Sequence, residues 1–283
     1  MISTATLTGV EETAFITLHA RALDAAAEQP ILADPYAKAL VDEIDYDFRR
    51  LGPTPKLDLK ERLSVGIRAV IFDGWVQEFL DRNADGVVLD LGCGVDSRAL
   101  RVRRPAGVDW YDVDLPAVIE LRRRCYPDTA GVHPVAGELA EGGWLADVPR
   151  DRPMIAVMDG LYPFMTPSSF PRLLNRLTGH FDRGELIVLG YSRFSSRMMP
   201  RVLPAVKTLG IAINEGFDDP REVERWAPAL RFTEQRRLID SPDVAKMPPG
   251  FRFRCRVMRR IPWLARMDKG VLRYTFGPAG VTQ

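Results

Sequence analysis

At 283 residues the chain has room for one large α/β domain with a cap, or for two small domains, and its 46% hydrophobic and 27% charged content suits a sizeable core. Lys and Arg exceed Asp and Glu by 39 to 38, which supplies no global field for nucleic acid or for a membrane surface. Cys93, Cys125 and Cys255 form neither a disulfide framework nor a zinc signature, Met1–Val10 lacks a basic-then-apolar leader, and no apolar run nears the roughly 20 residues of a membrane span, so a cytoplasmic globular protein without a metal is expected.

The first 85 residues read as helices over Glu11–Glu28, Pro35–Ile44 and Lys60–Asn83, punctuated by Pro30, Gly52, Pro53 and Pro55. In the third, Leu63, Ile67, Val70, Ile71, Trp75 and Phe79 recur at helical spacing and predict one buried face. The texture changes at Asp85-Gly86. Gly86–Leu91 is a short apolar run ending in glycines, as a strand buried on both faces requires, and Val108–Val113, Val132–Ala136, Met154–Asp159 and Glu185–Tyr191 repeat the pattern. Helical stretches at Ser97–Val102, Pro116–Cys125 and Pro167–Phe181 alternate with them, which predicts a doubly wound, mostly parallel α/β sheet with ligands at the carboxyl ends of its strands. Phe232–Ile239 and Val271–Phe276 are expected as an antiparallel closing pair, giving seven strands. Met198–Asn214 reads as a helix placed where a lid would sit. The expected organisation is a helical cap over residues 1–84, then a ligand-binding domain over 85–283 with a lid insertion at about 193–230.

A strand that ends in Gly92-Cys93-Gly94 and runs into a helix offers bare backbone amides to a polar or anionic group. Asp90 precedes the loop and is expected to order it by bonding to backbone. Asp112 and Asp114 end the next strand, where a carboxylate can accept hydrogen bonds from two ribose hydroxyls, and Asp114 can also cap the helix that begins at Leu115-Pro116. That placement serves nicotinamide and S-adenosylmethionine (SAM) enzymes alike. Ser97 stands where a dinucleotide fingerprint has its third glycine, which shifts weight towards SAM.

The run Val87–Arg98 (VVLDLGCGVDSR), followed by Tyr111–Pro116 (YDVDLP) and Val118-Ile119-Glu120, resembles the leucine carboxyl methyltransferase family, in particular its bacterial, tetracenomycin-pathway-like branch of O-methyltransferases. Arg21–Asp24, Ile31–Ala37, Arg68–Asp73 and Met158–Met165 match further motifs of that family, so the resemblance covers about Ala20 to Ser192. It implies a Rossmann-like methyltransferase fold with SAM as co-substrate. It further implies that Arg68 pairs with the methionyl carboxylate with Arg21 assisting, and that Gly92, Cys93 and Gly94 lie against the methionyl and ribose parts. By the same resemblance Asp114 and Leu115 hold the ribose end, Glu138 and Leu139 flank the adenine, and Asp159 faces the methionyl amino group.

Among possible catalytic groups His19, His133 and His180 are poorly placed, whereas Tyr162 and Tyr191 follow the fourth and fifth strands and could orient an acceptor through their phenols. The expected reaction is methyl transfer to a carboxyl or hydroxyl oxygen of a small, polyketide-like metabolite. Carboxyl methylation of a protein C-terminus, a nicotinamide-dependent dehydrogenase and a non-catalytic SAM-binding protein stand as alternatives. Between Arg252 and Arg273 eight basic residues face one acid, Asp268: a solvated face, or a docking surface for an acidic carrier protein.

Overall fold

Strands buried on both faces form the centre of the computed structural model, which describes residues 1–4, 6–51, 62–202, 206 and 209–278. They are β1 (Val87–Leu91), β2 (Asp109–Asp114), β3 (Val132–Ala136), β4 (Met154–Met158), β5 (Gly184–Leu189), β6 (Arg231–Arg236) and β7 (Val271–Phe276). Every residue of β1, β4 and β5 is buried, which is why these segments read as mostly apolar runs, broken only by Asp90 in β1 and Glu185 in β5. The sheet order is β3-β2-β1-β4-β5-β7-β6; the first five strands are parallel, and β7 is antiparallel to both β5 and β6. The chain leaves β1 towards β2 on one side and later returns to β4 on the other. A crevice therefore opens beyond the carboxyl end of β1.

The principal helices are α1 (Ala14–Ala25), α2 (Pro35–Glu43), α3 (Ile67–Arg82), α4 (Pro116–Cys125), α5 (Ser169–His180), α6 (Arg193–Val202) and α7 (Pro249–Arg260). Side chains alternate along a strand, so β1 sends Val87, Leu89 and Leu91 to a core shared with Phe170, Leu173 and Leu177 of α5, and Val88 to a core shared with Phe72, Trp75 and Phe79 of α3. Each of these fully buried large side chains contributes about 1.5–3 kcal/mol relative to exposure. A third cluster, with Phe15, Leu18, Leu40, Val118 and Leu121, fastens α1 and α2 to α4 beside the glycine loop.

Several boundaries differ from expectation for local reasons. The first helix begins as a 3-10 turn, Gly9–Thr13, and α1 stops at Ala25, where Asp24 turns back to accept the amides of Ile31, Leu32 and Ala33. Ile44 leaves α2 and pairs in parallel with Ile2. The third helix opens with π geometry over Arg62–Gly66; its expected start at Lys60 lies outside the described residues. β6 ends at Arg236, and Leu238–Asp240 is a 3-10 turn. The helix expected from Met198 to Asn214 is α6, starting earlier at Arg193; residues 203–205 and 207–208 lie outside the described residues, and 209–214 are not helical. The helix α7, inside the basic stretch, was not anticipated: Pro249 occupies its first turn, where a missing amide proton costs nothing.

Candidate active site

The loop after β1 is shaped by left-handed backbone at both glycines, with φ of +67° at Gly92 and +52° at Gly94. A Cβ at Gly94 would stand 3.1 Å from the Ala14 Cβ of α1, so α1 presses on the loop as closely as glycine allows. The Gly92 amide donates to the Val113 carbonyl (2.8 Å) and the Gly94 amide to Asp114 Oδ2 (2.7 Å); Asp114 Oδ1 accepts from the Leu115 amide (2.7 Å). Asp114 thus ties the loop to the end of β2, and burial raises its pKa to about 6.

Beyond the carboxyl ends of the strands lies a cavity of about 850 Å3, within the range of small-molecule sites. Of the residues singled out from sequence, Arg21, Arg68, Asp90, Gly92, Cys93, Gly94, Asp114, Leu115, Glu138, Leu139, Asp159 and Tyr191 line it. Asp112 and Tyr162 are not among its lining residues. Asp112 is buried beneath α4, where it accepts from Arg122 (2.6 Å) and from the Trp110 indole (3.0 Å), so its carboxylate is engaged away from any ribose. Tyr162 belongs to the core: its hydroxyl donates to the Glu215 carbonyl, and its ring packs on Phe170 and Phe217 at 4.8 and 5.4 Å.

One wall of the cavity is an ion lattice. Arg98, 0% exposed and the first residue of the short helix after the loop, contacts Asp90 (2.9 Å), Asp73 of α3 (2.8 Å) and Asp159 beyond β4 (3.1 Å). Asp159 in turn meets Arg68 Nε at 2.7 Å, so those two residues stand side by side. Arg101 joins Asp73 (2.7 Å) and Asp96 (2.7 Å). Arg21 reaches Asp96 (2.9 Å), Asp34 (3.3 Å) and the Val95 carbonyl (3.0 Å). Asp90 therefore orders the loop through the Arg98 side chain and not through backbone amides. Ser97 donates its hydroxyl to Asp34 (2.7 Å), which places it inside the same lattice.

Burial raises Asp90 to about 7 despite Arg98. Burial also acts on Asp96, but Arg101, Arg21 and Arg98 outweigh it and hold that carboxyl well below the ordinary range. Arg98 and Asp96 were not singled out from sequence, and the only signal for them is their position in the run after Gly94. Cys93 is buried and its thiol is pushed far up, so it fills space and is no nucleophile.

A further stretch of the cavity wall is largely apolar, with Leu161, Phe164, Met165, Tyr191 and Met199. Burial pushes the Tyr191 phenol up to about 12, which keeps it a hydrogen-bond donor near neutral pH. None of the three histidines lines the cavity: His19 stacks on Phe48 (5.0 Å), His133 meets Asp109 (3.0 Å) and His180 meets the Val148 carbonyl (3.0 Å). Among the described residues no group of three or more His, Cys, Asp or Glu could hold a metal, and no helix is long and apolar enough to cross a membrane.

Comparison with known proteins agrees with this fold. The family model for leucine carboxyl methyltransferase matches residues 14–178. The tetracenomycin polyketide synthesis O-methyltransferase TcmP of Streptomyces glaucescens is 38% identical over 276 residues, 98% of this chain and 100% of that one. The SAM-dependent methyltransferase dpfgK of Gibberella zeae is 34% identical over 261 residues, 86% of each chain. Among solved structures, a putative methyltransferase from Thermobifida fusca superposes with a TM-score of 0.52 at 16% identity, covering 91% of this chain and 93% of that one, a likeness of fold.

Proposed function

The chain belongs to the leucine carboxyl methyltransferase family, and from that membership we propose that it transfers a methyl group from SAM to a carboxyl or hydroxyl oxygen of a small, polyketide-like metabolite. It is a SAM-dependent O-methyltransferase. The observation that carries the site assignment is the side-by-side pair Arg68 and Asp159 next to the bare glycine loop. A guanidinium and a carboxylate 2.7 Å apart match the carboxylate and ammonium of one amino-acid group, which no neutral turn would require. Asp114 supplies an acceptor for ribose hydroxyls, and Glu138 and Leu139, which also line the cavity, would flank the adenine. When bound, SAM supplies a methyl group already activated on a sulfonium.

The remaining work of the chain is alignment and exclusion of water, which can carry much of a methyl-transfer rate. The apolar wall holds the acceptor against the loop, and Tyr191, protonated near neutral pH, donates to an acceptor oxygen. A carboxylate acceptor needs no base, whereas a phenol gains from ionising before transfer. In this reading residues 1–84 act as a cap and about 193–230 as a lid, and the three free cysteines accord with a cytoplasmic location. The exposed face of α7, with Arg252, Phe253, Arg254 and Arg256, accords with an acidic carrier-protein partner. Such binding weakens as salt rises, and salt-insensitive binding would count against it.

Calorimetry with S-adenosylhomocysteine tests the cofactor site, and incubation with labelled SAM and aromatic hydroxy acids tests the acceptor class. Binding of the homocysteine product together with base-labile esters or stable ethers is expected. Label transferred only to a protein C-terminus overturns the small-molecule acceptor.

A further inference from the structure

Five cations are buried among the described residues: Arg21, Arg68, Arg98, Arg122 and Lys269. The four arginines each contact a carboxylate at 3.4 Å or less. Lys269, 6% exposed, has no carboxylate within ion-pair distance among the described residues. Its ammonium donates to the Asp218 backbone carbonyl at 2.6 Å. The nearby acids are otherwise engaged: Asp218 and Glu222 turn to Arg193 (3.3 and 2.5 Å), and Asp268 accepts the amides of Ile239 and Gly270. Burial lowers the pKa of Lys269, with Asp218 partly offsetting it. A buried charge without a counter-charge is costly, and proteins keep one where a ligand supplies the partner.

Its position fits that role. A Cβ at Gly190, just past β5, would stand 2.7 Å from the Lys269 Cβ, so the lysine stem lies against the carboxyl end of the sheet beside Tyr191. Lys269 and Met267 line the main cavity and also an adjoining groove of about 610 Å3, walled by Phe194, Trp263 and Arg266. Phe194 and Trp263 are 52% and 65% exposed, an unusual display for large aromatic side chains.

We propose that Lys269 is a specificity-determining residue that pairs with an anionic oxygen of the acceptor, a carboxylate or an ionised phenol, while an extended aromatic acceptor continues past Met267 into the groove beside Phe194 and Trp263. This deepens the small-molecule methyl-transfer reading and rests on it. Proton and charge balance follow simply: the ammonium keeps its proton, no bond is made or broken at Lys269, and an acceptor that arrives ionised neutralises it.

The test is binding to protein saturated with S-adenosylhomocysteine, measured by calorimetry with 2-naphthoate, 2-naphthol and neutral 2-naphthamide. Lys269→Met keeps the apolar stem and removes the charge. It is expected to weaken naphthoate by about tenfold or more, as for a charged hydrogen bond, and to leave naphthamide and S-adenosylhomocysteine within about twofold. Naphthol shows the naphthoate response if an ionised phenol is the partner, and the naphthamide response if only carboxylates are held. Equal losses for naphthoate and naphthamide, no loss for either, or no binding of naphthoate to the unmodified protein would each overturn the proposal. Trp263→Ala tests the groove: anthracene-2-carboxylate should lose about threefold or more where naphthoate is unchanged, and an unchanged anthracene affinity removes the groove from the acceptor path. If S-adenosylhomocysteine itself fails to bind, the cofactor site assignment falls, while the naphthoate-against-naphthamide comparison still reads Lys269.

Discussion

Two stretches of the cavity wall are built on opposite principles. Along one, arginines and aspartates from α1, α3, the loop after β1 and the end of β4 interlock, and each of its buried arginines meets at least one carboxylate. Along the other the surface is mostly Leu, Phe, Met and Tyr, and its buried lysine meets, among the described residues, a carbonyl and no carboxylate. A lattice of matched charges has many directional contacts to lose and so holds one geometry; an apolar wall has few and accepts different shapes. In the proposed reading the charged stretch meets SAM and the apolar stretch meets the acceptor.

The strongest way to break the contrast is at Arg98. Arg98→Met leaves Asp90 buried, and Asp73 and Asp159 half-buried, beside a neutral side chain, and a loss of about 3–5 kcal/mol in urea unfolding is expected. A loss below about 1 kcal/mol would show that the lattice is not a structural support. Arg68→Met removes a cavity-facing charge while Asp159 keeps Arg98. It should weaken S-adenosylhomocysteine by about 100-fold in calorimetry with a much smaller change in unfolding. Unaltered affinity would move the carboxylate partner elsewhere.

Asp114 sharpens the comparison through pH. Its pKa is raised by burial to about 6, so the folded state binds that proton more tightly than the unfolded chain. Its contribution to stability is therefore greatest at low pH and falls as pH rises from the unfolded carboxyl range through 6. Ligand binding runs the other way, because a ribose needs the carboxylate as acceptor: affinity for S-adenosylhomocysteine should drop severalfold from pH 7.5 to 5, and Asp114→Asn should flatten that profile. A slope unchanged in the variant assigns it to another group. The smallest effect is expected at Tyr162→Phe, which loses about 1 kcal/mol of stability with the Glu215 hydrogen bond and leaves turnover intact. A selective loss of turnover there would place Tyr162 in the reaction after all.

Asp112 and Asp114 show why sequence reading reached some site residues and not others. Both lie on one face of β2, two residues apart, so periodicity cannot separate them. Asp112 sits within the strand under Arg122 of α4, whereas Asp114 stands at the strand end and faces the cavity. The same distinction applies to the tyrosines. Tyr191 follows β5 into the cavity wall, while the turn Tyr162–Phe164 carries Tyr162 inward to a carbonyl 53 residues further along the chain. Arg98 passed unnoticed because its partners Asp73 and Asp159 lie 25 and 61 residues away. A short-range pattern carries no information about pairings of that range.

What the amino-acid sequence determined by itself was the sheet and the loop. Strands covered on both faces must be largely apolar, and residues 92 and 94 adopt left-handed backbone that favours glycine, so both are written locally. Only the tertiary structure decided which charges are matched. Ion pairing depends on where distant segments meet, and among the described residues that meeting left every buried arginine with a carboxylate and Lys269 with none.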